Sequence, residues 1–266
     1  KKKKKENENE TGIINNDAFK KGTKPALRPI YFYEHLFKIL DRILLNNRLQ
    51  ATPSKIDEWN IGFRRGHTTT DVALIKLNAI EDALTNDKQL YIIEKDLSFA
   101  YDKIPLWVLQ ASWKAQGLPQ EYIKIKTDLH KYSQGRTFLA NGELSDVFKP
   151  EAGIGQGKVS APQDYLDFDY ARMNVIKKYH TTPYTFEDKY TNQKEQLKYQ
   201  AYVDDSSLYS SDKNGINTTS KADDTFLKLT GMLVNTEKSN YTTINVETEE
   251  DRKSTRLNSS HTVISY

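Results

Sequence analysis

Strand-forming runs alternate with amphipathic helical segments along this chain and are joined by hairpin turns, and this order limits the possible folds more than any other feature. Residues 199–210 (YQAYVDDSSLYS) predict two short strands joined at Asp204-Asp205. Asn141-Gly142, between two β-prone runs over 136–149, predicts a second hairpin. Helices and hairpins interleaved in this way indicate an α+β fold.

The helices are predicted from apolar residues spaced three and four positions apart and from the residues that begin and end helices. A first helix over 31–49 has a predicted inward face of Leu36, Leu40, Ile43 and Leu44. A second begins near Thr68, with a predicted inward face of Ala73, Leu77, Ile80 and Leu84. Further helices are expected after Pro105, Pro119 and Pro162 and over 220–230, and further strands over 90–93 and 240–246.

Composition excludes several classes of function. The chain has 266 residues and no cysteine, so disulfide frameworks, cysteine-ligated metal sites and cysteine nucleophiles are excluded. No apolar run reaches the ~18 residues of a membrane span, and none follows the N-terminal lysines as a secretory signal would. We therefore expect an intracellular protein with no membrane partner.

The net charge of +3 comes from the two ends of the chain. Residues 1–10 and 251–266 each contribute +2, which leaves −1 for the 240 residues between them. The overall basic balance is therefore no evidence for a nucleic-acid partner.

Both ends are expected to lie outside the folded domain, which is predicted over 25–250. Residues 1–24 begin with a low-complexity run of Lys, Glu and Asn and should be disordered. Residues 251–261 (DRKSTRLNSSH) resemble the translation of a common sequencing-adapter oligonucleotide, so 251–266 is expected to be an artefactual or disordered tail. An ordinary polar tail is the alternative.

Three aspartates mark the place where chemistry is expected. Asp96 follows an apolar strand, and Asp204 and Asp205 occupy a tight turn between two strands, so their carboxylates would meet at one end of a sheet. They would repel each other unless a cation joined them. Oxygen donors without His or Cys suit Mg²⁺, which takes one or two protein carboxylates plus substrate phosphates, and two such ions carry out nucleotidyl transfer. A solvated turn is the alternative for an Asp-Asp pair taken alone.

Four segments resemble, in the right order, the palm motifs of reverse transcriptases. DLSFAYD at 96–102 is similar to the first motif and GIGQG at 153–157 to the second. AYVDD at 201–205 resembles the Tyr/Phe-x-Asp-Asp hairpin, and GMLVNTEK at 231–238 resembles the fourth motif.

Two upstream blocks extend the resemblance to the fingers. Residues 27–49 and 62–74 (GFRRGHTTTDVAL) are similar to fingers segments of non-LTR (LINE-type) retrotransposon enzymes, and Asp102 follows the aromatic residue of the first palm motif as in that branch. The resemblance implies a right-hand polymerase fold, with fingers over about 25–90 and a palm over about 91–246 whose antiparallel sheet packs against helices. The thumb and the endonuclease of such elements are expected to be missing.

The resemblance implies a catalytic role for four residues. Asp96, Asp204 and Asp205 match the metal-ligating and catalytic carboxylates, which would hold two Mg²⁺ ions. Lys238 matches the lysine proposed to protonate or support the leaving pyrophosphate, and a general acid contributes typically ~10²–10⁴-fold. A solvated surface charge is the alternative for Lys238.

The resemblance also implies a nucleotide site beside the first palm motif. The backbone around Leu97 and Ser98 would line the triphosphate site. Tyr101 would be the aromatic gate that blocks a ribose 2′-hydroxyl, so deoxynucleotides would be preferred. A packed core aromatic is the alternative for Tyr101.

Four further residues are implied in template and nucleotide contacts. Gln156 and Gly157 match the pair that contacts the incoming nucleotide and the template. Arg64 and Arg65 match a basic fingers segment that grips template or triphosphate, since guanidinium groups form bidentate contacts with phosphate. A plain Gly-rich turn is the alternative for Gln156 and Gly157, and a solvated pair of loop residues is the alternative for Arg64 and Arg65.

Some residues depart from the family pattern and make the packing around the metal ligands suspect. Three acidic residues stand where the family prefers apolar ones: Asp164, Asp167 and Asp169. Glu94 and Lys95 lie in a strand that should be apolar, and Gly155 replaces a proline. A decayed element copy or a divergent active one would have such changes.

The expected function is RNA-directed DNA polymerase, which extends a DNA primer on an RNA template with dNTPs, in the nucleus or cytoplasm. A catalytically inactive remnant that retains the fold and weak nucleic-acid binding is the alternative. An RNA-directed RNA polymerase or a group II intron-type enzyme is a third hypothesis. Tyr101 argues against RNA synthesis, and residues 62–74 favour the LINE-type branch over the intron type.

Overall fold

The computed structural model describes residues 32–51, 59–98, 100–137, 142–150, 152–155, 157–187, 191 and 193–246. The predictions for residues 1–24, Asn141, Gln156 and residues 251–266 concern positions outside these ranges.

Helices and strands are interleaved as predicted. The helices are α1 (His35–Ala51), α2 (Thr69–Thr85), the short α3 (Ala100–Lys103), α4 (Leu106–Gln116), α5 (Gln120–Lys131), α6 (Ala161–Tyr179) and α7 (Lys213–Leu229). The strands are β1 (Leu90–Ser98), β2 (Tyr184–Glu187), β3 (Lys194–Leu197), β4 (Tyr199–Tyr202), β5 (Asp205–Ser210) and β6 (Leu233–Ile244). The β2–β3 hairpin was not predicted, and β1, α7 and β6 are longer than predicted. None of these helices is long and apolar enough to cross a membrane.

The main sheet has the strand order β4-β5-β1-β6, and all its neighbours are antiparallel. Along β1, side chains alternate between two cores: Leu90 and Ile92 pack with Ala79 and Ala83 of α2, whereas Tyr91 packs with residues of α6 and α7. Successive side chains of a strand point to opposite faces, so helices cover both faces of the sheet. The predicted α+β fold with an antiparallel sheet is confirmed.

A third core joins the end of β1 to the helices that follow it. Trp113, Tyr165 and Phe168 are fully buried there, together with Leu97 and Ala100. This packing fixes Leu97, Ala100 and Ile104 against α4 and α6.

The predicted inward face of α1 is wrong for most of its residues. Leu36, Leu40 and Ile43 are 79%, 41% and 50% exposed, and of the four predicted residues only Leu44 packs against a described core. A buried polar contact holds the helix instead. Asp41 is buried and accepts a hydrogen bond from the backbone N–H at position 160, 2.8 Å away.

The predicted inward face of α2 is shifted. Leu77 and Leu84 are 58% and 50% exposed, whereas Ala79 and Ala83 are fully buried against the sheet. Only Ile80 of the predicted stripe packs against this core. Small side chains on the buried face let the helix backbone approach the sheet closely.

The three unexpected aspartates of α6 are all buried, and each has a partner. The pairs are Lys126 with Asp164 at 2.9 Å, Arg48 with Asp167 at 2.7 Å and Tyr199 with Asp169 at 2.8 Å. A buried charge is tolerated when it is paired and hydrogen-bonded. These aspartates are therefore part of a paired interior and are no evidence for disrupted packing.

His130, near the end of α5, is expected to make the protein less stable in mild acid. Burial, reinforced by the nearby Lys158 ammonium, lowers the pKa of His130 to about 3. In the unfolded chain its pKa is about 6.5, so below pH 6.5 the unfolded state binds more protons. The contribution of His130 is full above pH 6.5 and is lost as the pH falls, by at most about 1.4 kcal/mol per pH unit.

Urea unfolding at pH 7 and pH 5 measures this loss, with His130→Gln as the comparison. The variant should lose less stability between the two pH values than the parent chain. Burial also lowers the pKa of His180, so His180 makes both proteins less stable in acid in the same way. Only the difference between the parent chain and the variant therefore reports on His130. Equal losses in both proteins would show that His130 is not responsible.

Candidate active site

The pairing of β1 with β5 brings the predicted acidic residues together. Lys95 of β1 is paired with Ser206 of β5, so the next residues along the two strands, Asp96 and Asp205, lie side by side at the end of the ladder. Asp204 lies in the two-residue turn between β4 and β5, where Tyr202 pairs with Asp205. The structure therefore gathers the three aspartates at one end of the sheet, as predicted.

A bulge in β6 brings Lys238 to the same place. On the other side of β1, Glu94 pairs with Asn240 but Asp96 pairs with Asn235, so extra residues of β6 leave the ladder between these pairs. Lys238 lies in this bulge, and its Nζ is 4.0 Å from Asp96 Oδ2. Bulges redirect side chains next to active sites. Here the bulge directs a cation towards the acidic cluster, although the Lys238 side chain remains 66% exposed.

The electrostatics of the cluster favour a cation. Burial and then the charges of Asp204 and Asp96 raise the pKa of Asp205, and Lys238 only partly offsets them. The donors are carboxylate oxygens, which suit Mg²⁺, an ion that needs only one or two protein carboxylates when substrate phosphates complete its shell. Within the described ranges, no group of three His, Cys, Asp or Glu side chains is arranged so that it could hold a metal ion.

The nucleotide-site residues lie directly after Asp96. Tyr101 stacks on Tyr165, with ring centroids 5.1 Å apart, and burial followed by the charge of Asp204 raises the pKa of Tyr101. The Tyr101 ring is thus half-buried yet within electrostatic reach of the acidic cluster. Leu97 has a buried side chain and Ser98 a half-buried one, and both residues are paired in register with β6.

The Gly-rich turn packs against the segment that carries Tyr101. The Ile154 N–H donates to the Tyr101 carbonyl at 2.9 Å, and a Cβ at Gly153 would come within 2.7 Å of the Asp102 carbonyl oxygen. Gly155 has φ +64° and lies against the Tyr33 hydroxyl. Proline requires φ near −65°, so the residue that the family usually has here could not adopt this turn.

The basic fingers loop is held beside the Asp-Asp turn by backbone contacts. Ile61 N–H donates to the Ala201 carbonyl at 3.0 Å, and a Cβ at Gly62 would collide with the Val203 backbone nitrogen, 2.5 Å away. Arg64 and Arg65 follow directly in this loop, and Arg65 is exposed.

Gly157, which is exposed, ends the Gly-rich turn.

Sequence reasoning missed a buried charge network beneath the cluster. Asp223 of α7 accepts hydrogen bonds from Lys95 Nζ at 2.9 Å and from Arg172 Nε at 2.7 Å and Nη2 at 2.9 Å. Arg172 Nη2 also donates to Ser206 Oγ at 3.2 Å, which in turn donates to the Lys95 carbonyl at 3.3 Å. The network therefore holds the strand residues adjacent to two of the site aspartates. In the sequence, only Lys95 indicated this network, because a charged residue in a central strand requires a buried acidic partner.

Comparison with protein families identifies one match. The model described as reverse transcriptase (RNA-dependent DNA polymerase) matches residues 18–260, which include the predicted palm and fingers and most of the adapter-like segment. The comparison with curated protein sequences gave no significant match.

Solved telomerase structures share the fold. The telomerase of Candida tropicalis truncated from its C-terminal domain is 16% identical, with a TM-score of 0.52 over 80% of this chain and 41% of that chain. The same enzyme in complex with a TWJ fragment of telomeric RNA is 17% identical, with a TM-score of 0.53 over 76% of this chain and 33% of that one. The corresponding complex from Candida albicans is 15% identical, with a TM-score of 0.52 over 77% of this chain and 34% of that one.

This chain therefore spans between a third and two-fifths of the length of these telomerases, and at such identities the likeness concerns the fold alone. The family match, by contrast, extends over almost the whole chain. Together with the four palm segments gathered around one acidic cluster, it shows that the chain belongs to the reverse transcriptase family.

Proposed function

We propose that this chain is the fingers and palm of an RNA-directed DNA polymerase that adds a dNTP to the 3′-hydroxyl of a primer on an RNA template. The observation that carries the proposal is the meeting of Asp96, Asp204 and Asp205 at the end of the β1–β5 ladder. Family membership supports the same reaction class.

We assign two Mg²⁺ ions to the three carboxylates, because carboxylate oxygens are donors that this ion takes. When bound, such ions activate the attacking hydroxyl and neutralise the charge that develops on the leaving pyrophosphate. Besides burial, the charges of Asp204 and Asp96 raise the pKa of Asp205, and a bound cation would relieve this repulsion, which supports the assignment.

The chain's own residues would position the substrates. Lys238, directed at the cluster by the β6 bulge, would stabilise or protonate the leaving pyrophosphate. Tyr101 would exclude a ribose 2′-hydroxyl, and the backbone at Leu97 and Ser98 would lie along the triphosphate. Arg64 and Arg65 would contact template or triphosphate from the loop that packs on the Asp-Asp turn.

Within the family, we place the chain in the non-LTR, LINE-type branch of retrotransposons. Asp102 after Tyr101 and the block over 62–74 support this placement. In the fold, the residues of this block continue from the Trp59–Gly62 segment that packs on β4, beside the Asp-Asp turn. The block therefore begins close to the acidic cluster, a position from which it could contact a template.

Single-nucleotide primer extension tests the proposal. The purified chain is mixed with a short RNA template, a DNA primer, dNTPs and Mg²⁺ at low salt, because a core with a net charge of −1 should grip phosphates weakly. We expect slow extension that requires Mg²⁺ and is stopped by a chelator. Template binding without any extension at saturating template–primer would contradict the proposal and support the inactive-remnant alternative.

Tyr101→Ala should relax sugar discrimination. Without the ring, a ribose 2′-hydroxyl no longer meets a steric barrier, so the preference for dNTP over NTP should fall at least ~10-fold, which corresponds to about 1.4 kcal/mol. Single-nucleotide extension with each triphosphate measures the ratio. Tyr101→Phe, which retains the ring, is the matched control and should discriminate like the parent chain. An unchanged ratio in Tyr101→Ala would remove Tyr101 from the gate position.

A further inference from the structure

A cavity of about 450 Å³ is lined by Gly153 and Gly155 of the Gly-rich turn, whose Ile154 N–H donates to the Tyr101 carbonyl. Its walls come from the end of α5, the start of α4 and the segment that includes Gly153 and Gly155. Ile104, Leu106 and Leu109 form an apolar wall. Pockets of ~300–1,000 Å³ are the size that small organic ligands occupy, so this one is larger than a simple anion requires.

The cavity contains a buried cation. Lys158 is 8% exposed, and its Nζ lies 5.7 Å from the Tyr33 ring centroid, 5.8 Å from the Phe37 ring centroid and 3.5 Å from His130 Nδ1. In the part of the chain that the structure describes, no carboxylate comes within 4.0 Å of this ammonium. Asp164 Oδ2 pairs with Lys126 Nζ at 2.9 Å, whereas Asp164 Oδ1 is buried without a hydrogen-bond partner among the described residues.

The other charged groups of the wall are mostly basic. Lys131 and Lys149 line the cavity with Lys158, against the single carboxylate of Asp102 among the described lining residues. His130 is neutral at pH 7, because burial and Lys158 lower its pKa to about 3. The described lining residues therefore carry a net charge of +2 at neutral pH, opposite in sign to the acidic cluster.

A buried ammonium with no carboxylate within 4.0 Å among the described residues is costly, and the two aromatic rings compensate only in part. Burial accordingly lowers the pKa of Lys158 to about 8. An anion that entered the cavity would gain a charge-assisted contact with Lys158, and an apolar group attached to it would cover the wall at Ile104 and Leu106.

We propose that this cavity binds one nucleotide unit of the nucleic-acid template, with its phosphate at Lys158 and its sugar and base against the apolar wall. The inference rests on the proposed function, since it assumes a template. The Gly-rich turn is shared between the cavity and the Tyr101 segment, so a template strand that reached one would pass the other. The proposal predicts a phosphate contact by a residue that the motif resemblance leaves without a role.

Binding of a labelled single-stranded RNA, measured by fluorescence anisotropy over a range of salt concentrations, provides the first test. Lys158→Gln should weaken binding about tenfold and reduce the slope of log affinity against log salt by about one. Lys124→Gln, which removes an exposed lysine from α5, is the matched control and should bind within twofold of the parent chain. Equal affinity and slope for Lys158→Gln and the parent would overturn the proposal.

Modification of the unaltered chain by pyridoxal phosphate, followed by borohydride reduction and mass spectrometry, identifies the occupant without any variant. We expect Lys158 to be labelled and to be protected by the RNA at concentrations where inorganic phosphate and dNTPs do not protect. Protection by dNTPs or by phosphate alone at those concentrations, or an unreactive Lys158, would overturn the template assignment.

Primer extension by the same preparation separates the two proposals. Extension without protection of Lys158 would leave the polymerase function in place and remove the cavity from it. Protection by RNA without extension would leave the binding site in place and remove the polymerase function.

Discussion

Asp204→Asn is expected to lower single-nucleotide primer extension by at least ~10³-fold while the fold remains intact. Metal ions at such sites supply several kcal/mol of transition-state stabilisation, and about 4 kcal/mol corresponds to this factor. A neutral amide in the turn between β4 and β5 would weaken the hold on both ions. Quantitative extension assays under saturating Mg²⁺ and template–primer measure the change.

The stability of the same variant separates a catalytic effect from an unfolding effect. In the parent chain burial and then the charge of Asp204 raise the pKa of Asp205, so the carboxylates repel each other in the absence of metal. Asp204→Asn removes part of this repulsion, and its thermal midpoint without Mg²⁺ should equal or exceed that of the parent. A marked fall in the midpoint would attribute the lost activity to misfolding instead.

Asp87→Asn is the matched control for Asp204→Asn. Asp87 is exposed at the end of α2 and has φ +50°, a conformation that asparagine adopts readily. This variant should extend primers at the parental rate. A comparable loss of extension in Asp87→Asn would show that the assay responds to charge in general and not to the cluster.

Asp223→Ala is expected to destabilise the chain by about 3–5 kcal/mol, the usual cost of removing one partner from a buried ion pair. Asp223 is fully buried, and the substitution leaves Lys95 and Arg172, 5% and 1% exposed, without their shared carboxylate. Urea unfolding at pH 7 measures the difference. Burial alone would raise the pKa of Asp223, but Arg172 and Lys95 lower it below its ordinary value. The stabilisation from Asp223 is therefore fully present at pH 7 and is lost only in acid.

The neighbouring residue is a close control for Asp223. Asp224 also contacts Lys95 Nζ, at 2.6 Å, but its side chain is 55% exposed. Exposed ion pairs contribute less than about 1 kcal/mol, so Asp224→Ala should stay below that value. Similar losses for the two variants would show that burial does not set the energy of this network.

The same network has a functional consequence. It fixes Lys95 against Ser206, the paired residues that precede Asp96 on β1 and follow Asp205 on β5. A shift in this pairing would change the separation of the site carboxylates. Asp223→Asn, which retains the shape of the side chain, should therefore require more Mg²⁺ for half-maximal extension than the parent chain.

Features that depend on neighbours in the chain were predictable. Pro105 precedes α4 and Gly117, with φ +83°, ends it, because proline and glycine restrict or extend the accessible φ directly. The turn between β4 and β5 was predicted from the strand-forming runs on either side, but it consists of Val203 and Asp204, and Asp205 is the first residue of β5. The order of the palm motifs also followed from the sequence, and with it the reverse transcriptase family.

Features that depend on distant residues were not predictable from local patterns. Apolar spacing predicted that Leu36 and Ile43 of α1 face inward, but both are exposed. The buried face of the helix carries Arg48 instead, which pairs with Asp167, 119 positions along the chain. Periodicity cannot detect such a pairing because both partners look like surface charges in sequence.

The sequence by itself determined the α+β order of elements, the family and the identity of the acidic residues, because each follows from local backbone preference or from a short motif. Only the tertiary structure decided which charges are buried and what they meet. The β6 bulge that brings Lys238 to Asp96 and the pairing of Asp223 with Lys95 and Arg172 both depend on contacts between separate elements. The energy of those contacts arises from burial and distance, which exist only once the chain has folded.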